Sequence, residues 1–77
     1  MEPIGFAKKS KDDFATVATT MRFAGEVARS MGIDPPPPTD DNIRTALRAA
    51  NRGLSKAGET RRIPVDDASI AAVRAYL

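Results

Sequence analysis

With ten acidic residues and neither histidine nor cysteine, this 77-residue chain has few side chains that could do chemistry. Aspartates stand in three adjacent pairs: Asp12 with Asp13, Asp40 with Asp41, and Asp66 with Asp67. Paired carboxylates can share general acid and base work or hold a divalent cation, although a cation wants several oxygen ligands converging from different elements. Each pair instead stands where a stretch of helical periodicity begins. There, side-chain oxygens cap free backbone N–H groups and negative charge offsets the helix dipole. Capping accounts for all three. The commonest general base, the commonest metal ligand and the thiolate nucleophile are missing with His and Cys. No glycine-rich phosphate cradle, serine nucleophile elbow, zinc spacing or calcium loop is present. The expectation is a protein that is not an enzyme, with no catalytic residue, metal site or cofactor.

A second constellation is basic. Arg44, Arg48 and Arg52 recur every four residues, and Lys56, Arg61 and Arg62 follow within ten. An arginine row on one exposed helix face can track phosphates or reach guanine edges, because the guanidinium fork matches both. The row would sit before a connection and a final helix, which resembles a helix-turn-helix in outline only. Residues 56–65 are too many for the tight turn of that motif, and they contain Pro64. The formal net charge of +2 is far below that of chains whose main work is neutralising phosphates. A solvated or protein-facing basic surface is therefore the simpler reading, with nucleic acid as the alternative partner.

The longest element that must position these groups runs from Asp12 to Met31. Phe14, Val17, Met21, Ala24, Ala28 and Met31 alternate at steps of three and four, the signature of one helix face. Beside that face runs a second apolar line, Phe23 and Val27 with Thr16 and Thr20. So wide an uncharged surface predicts a helix gripped on two sides, either by the rest of this chain, the simpler reading, or by another molecule. Phe23, Val27, Thr20 and Arg22 are the candidate partner-binding residues, since small neighbours at Ala24, Gly25 and Ala28 allow close approach while Phe supplies area.

Gly32 is placed as a left-handed cap for this helix, with Ile33 folding back onto its last turn. Pro35 to Pro38 then form a stiff polyproline spacer. A PxxP ligand would want a basic flank and meets Asp34 instead. Thr39 or Asp40 can cap a second helix from Asp40 to about Ser55, with Ile43, Ala46, Leu47, Ala50 and Leu54 as its apolar stripe. Gly53 or Gly58 ends it. Residues 59–65 read as a short extended piece able to pair with Ile4 to Phe6. Asp66 caps a third helix, with Val65 and Ile70 as hydrophobic staple and Ile70, Val73 and Leu77 as inner face.

The fold expected is all-α: a small three-helix domain over residues 12–77, with a polyproline spacer between helices one and two and an irregular arm over residues 1–11. A core this small and this short of aromatics makes partner dependence a strong prior. The function expected is a non-catalytic regulatory, inhibitory or accessory protein that binds a protein partner, or itself, through a helical face. The alternative is nucleic-acid binding through the arginine row, possible as a dimer. No signal peptide or membrane span is legible, so a soluble, cytoplasmic protein is expected.

Overall fold

The computed structural model describes residues 13–77, which form three helices joined by two irregular connections. Helix α1 spans Asp13–Ser30, α2 Asp40–Lys56 and α3 Asp67–Tyr76. Among the described residues there is no strand, and 59–65 run as irregular chain. The extended pairing expected of them had its other half at Ile4 to Phe6, which lie outside the described residues, as do Asp12 and the 1–11 arm.

Local chemistry sets the helix ends. Ile33 donates its N–H to the Ala28 carbonyl at 2.9 Å across Gly32, whose φ of +75° is open to glycine at little cost. Thr39 caps α2 by accepting the Asn42 N–H at 3.2 Å, and the Asn42 amide reaches back to the Pro37 carbonyl at 2.7 Å. Gly53 does not end α2. Gly58, at φ +83°, does, and Glu59 N–H closes the turn on the Leu54 carbonyl at 2.9 Å. Asp66 caps α3 by accepting the Ser69 N–H at 2.9 Å. That bond, joined by the Ser69 hydroxyl, holds the Asp66 carboxyl below the usual carboxylate range.

The core is short. Val17 and Ala18 of α1, Ile43 and Leu47 of α2, Ile63 of the second connection, and Ile70 and Val73 of α3 are buried, with Phe14, Met21 and Leu54 packed against them. The face expected of α1 needs correcting beyond Met21. Ala24 is exposed, Met31 is 66% exposed, and Ala18, absent from that face, is wholly buried. The reason is length. The 18 residues of α1 rise roughly 27 Å and the 10 of α3 only about 15 Å, so α1 outruns its principal neighbour. Arg22 marks the limit by donating to the carbonyl of Tyr76, the last residue of α3. Leu77, expected inside, lies past that helix and is 40% exposed.

Two polar residues are buried among the described residues, Ser69 in the first turn of α3 and Asn51 within α2. Asn51 follows Ile43 and Leu47 at steps of four and is 6% exposed. Its amide donates to the Ile63 carbonyl at 2.9 Å, and its carbonyl accepts the Ile63 N–H at 2.7 Å. No buried side-chain nitrogen or oxygen lacks a partner among the described residues. Thr39, Asn51 and Asp66 therefore stitch each connection to a helix. Arg74 adds a fourth stitch, from α3 to Asp40 at 2.6 Å and to the Pro38 carbonyl at 3.1 Å.

Asn51→Ala leaves both backbone groups of Ile63 without their partner, at about 1–3 kcal/mol for each buried group left unsatisfied. Urea unfolding is expected to show a loss of about 2–4 kcal/mol, and Asn51→Leu, which keeps the volume, does not restore it. A loss below about 0.5 kcal/mol would show that these bonds exchange freely with water. Asp66 carries a pH signature of known sign. Its folded pKa is depressed, so its contribution is present above the unfolded value near pH 4 and fades as pH falls through the folded value. The wild-type advantage over Asp66→Asn at pH 6 should shrink progressively as pH falls below the unfolded value and through the folded one. A pH-independent difference would contradict this.

Candidate interaction surfaces

Two concave surfaces flank α2, on opposite sides of it. The first is a groove of about 480 Å³ between α1 and α2. Its α1 wall is Thr16, Val17 and Thr20, and its α2 wall is Ala46, Ala49, Ala50 and Gly53. Steps of three and four put those four small residues on one face of α2, and their lack of bulk leaves the space open. The Thr20 hydroxyl donates to the Thr16 carbonyl at 3.0 Å, which satisfies that polar group inside α1. Leu54 and Ile63 complete the lining. At one end stands an ion pair: Arg61 donates to Asp13 through Nη2 at 3.0 Å and Nε at 3.3 Å, and to Glu59 at 3.0 Å. The hydrogen bond to Asp13 holds the Arg61 guanidinium above its usual pKa.

The groove continues along α1. Thr16, Thr20, Phe23, Val27 and Met31 follow at steps of four, three, four and four, so the groove wall and the strip beyond it are one helix face. Phe23 is 68% exposed, Met31 and Ile33 are also largely in solvent, and Val27 is exposed over less than half its surface. Of the residues expected to bind a partner, Thr20, Phe23 and Val27 thus share one surface. Arg22 does not belong with them. It lies around the helix, on the side where it donates to Tyr76, and Thr19 accepts a further bond at 3.3 Å. Pro35 packs back on α1 near Gly25, where an added methyl would meet its Cβ at 3.5 Å.

The second surface is a cleft of about 390 Å³ between α2 and the connection to α3. Arg48, Arg52 and Ser55 face it from α2, Arg62 and Val65 from the connection, and Asn51 forms its base. The arginine row and the three basic residues that follow it are thereby divided. Arg44 is paired with Asp41 at 2.8 Å, and Arg61 points into the other groove. Lys56 is exposed on the last turn of α2 but does not line the cleft. Sequence spacing found the cations but not the split, because the split depends on how the connection folds over α2.

The aspartates are placed as structural groups. Asp13, Asp40 and Asp41 are ion-paired, Asp66 is a cap and Asp67 opens α3. Among the described residues, no three metal-ligating side chains come together. No described helix is long and apolar enough to cross a membrane.

If the strip is surface and not core, Phe23→Asp leaves the free energy of unfolding within about 0.5 kcal/mol of wild type, whereas Leu47→Ala costs about 2–5 kcal/mol. Thermal and urea melts decide this. A loss above about 2 kcal/mol for Phe23→Asp would place Phe23 in the core.

No protein-family model, curated protein sequence or solved structure matches the chain significantly.

Proposed function

We propose that this protein is a non-catalytic binding module that docks an amphipathic helix of a protein partner along α1, in the manner of small regulatory, inhibitory or accessory proteins. The observation that carries the reading is the continuity of the α1–α2 groove with the exposed strip at Phe23, Val27 and Met31. From Asp13 to Val27 that surface follows α1 for roughly 21 Å, the length of about four helical turns. Small side chains at Ala46, Ala49, Ala50 and Gly53 let a helix backbone come close, and Phe23 supplies the large side chain that anchors many interfaces. Helix-in-groove recognition uses the same parts: an apolar trough and anchors at i, i+3, i+4 and i+7.

An exposed apolar run of this kind lowers the solubility of a small protein unless something covers it. A second copy is one alternative cover, and sedimentation separates it from a heterologous helix. The test is affinity capture from cells that make the protein, with the full wild-type chain compared to a Phe23→Asp, Val27→Asp variant of equal thermal stability. A protein retained in stoichiometric amount by wild type and lost at least tenfold by the variant is expected. Equal retention by both would move the interface elsewhere. A concentration-dependent dimer abolished by the same variant would make the occupant a second copy and overturn the heterologous reading.

A further inference from the structure

The six arginines between residues 44 and 74 divide cleanly by partner. Arg44, Arg61 and Arg74 are each bonded to a carboxylate. Arg48, Arg52 and Arg62 have no carboxylate partner among the described residues, and these are the three that line the cleft between α2 and the following connection. Converging three uncompensated cations costs Coulomb energy, which a bound anion would reverse. From this convergence we infer that the cleft binds the phosphodiester backbone of a nucleic acid, a second binding function independent of the α1 groove.

An extended polyanion fits the geometry better than a single phosphate. Arg48 and Arg52 are one helical turn apart, roughly 6 Å along α2, which approximates two backbone repeats of about 3.4 Å on one strand. Arg62 approaches from the opposite wall. Each guanidinium can therefore take its own phosphate oxygen through a forked bond. The Ser55 hydroxyl lies in the same cleft as a neutral donor. Among the described residues no aromatic side chain lines the cleft to stack a base, and Asn51 has committed its amide to Ile63. The site thus reads backbone charge and not base identity.

Fluorescence anisotropy with the full chain and a labelled random duplex tests the inference. Three phosphate contacts give a log–log salt slope of about −2.7, an affinity loss of about 40-fold between 50 and 200 mM salt. Arg48→Gln, Arg52→Gln and Arg62→Gln should each reduce that loss to about 12-fold, while Arg44→Gln, whose guanidinium is paired with Asp41, leaves it unchanged. Duplexes of different sequence should bind within about twofold of one another. Circular dichroism of each variant confirms the fold. No binding at 50 mM would overturn the inference. So would an effect of Arg44→Gln equal to that of Arg48→Gln, which would mean diffuse attraction. Equal competition by poly-glutamate of matched charge would assign the cleft to an acidic protein. Displacement by millimolar pyrophosphate with a slope near −1 would assign it to a small phosphate ligand.

Discussion

Everything distinctive about this molecule depends on the paired hydrogen bonds between the Asn51 side chain and the backbone of Ile63. A buried amide is costly unless it is satisfied, and here one side chain satisfies both backbone groups of a residue twelve positions away. The second connection is thereby pinned across α2 at one point. Ile63 falls inward to join the core and line the α1–α2 groove. The two residues before it are aimed apart: Arg61 to the mouth of the groove, where Asp13 holds it, and Arg62 to the cleft with Arg48 and Arg52. One clasp sets the shape of both surfaces.

The second constraint is the unequal length of the helices. Among the described residues the three helices bury six apolar residues and the second connection adds Ile63, and the 10-residue α3 covers only part of the 18-residue α1. Beyond Arg22 the described residues leave much of the apolar side of α1 uncovered. That uncovered length is the surface the proposed partner helix would occupy. The two proposed roles then share one scaffold, with a protein helix on one side of α2 and a phosphate backbone on the other.

Much of the architecture was legible because short-range rules govern it. Helix periodicity, the Thr39 and Asp66 caps and the left-handed glycines at 32 and 58 are local signals, and all three helices lie within two residues of their expected bounds. Less legible was whatever depends on contacts across the chain. Ala24 and Met31 obey helical spacing as faithfully as Val17, and only the end of α3 decides which of them is covered. Asn51 carried a signal that polarity obscured, since it continues the line of Ile43 and Leu47 at a step of four. The arginine row was visible, and the Asp41–Arg44 pair lies at a local step of three, but the placing of Arg61 and Arg62 on opposite sides of α2 was not. Spacing on α2 says nothing about where Asp13 or the 59–65 connection will lie.

The most direct test of the clasp is hydrogen exchange at the Ile63 amide, followed by NMR in the full-length protein. Past the Glu59 N–H, which is bonded to Leu54, most of the second connection is exposed, so the amides of Thr60, Arg61 and Arg62 should exchange rapidly. If Asn51 holds both surfaces in place, the Ile63 N–H exchanges as slowly as the core amides of Leu47 and Val73, through global unfolding alone. An Ile63 amide that exchanges as fast as that of Thr60 would mean the connection lifts off α2 in the native state. The groove and the cleft would then have no fixed common wall.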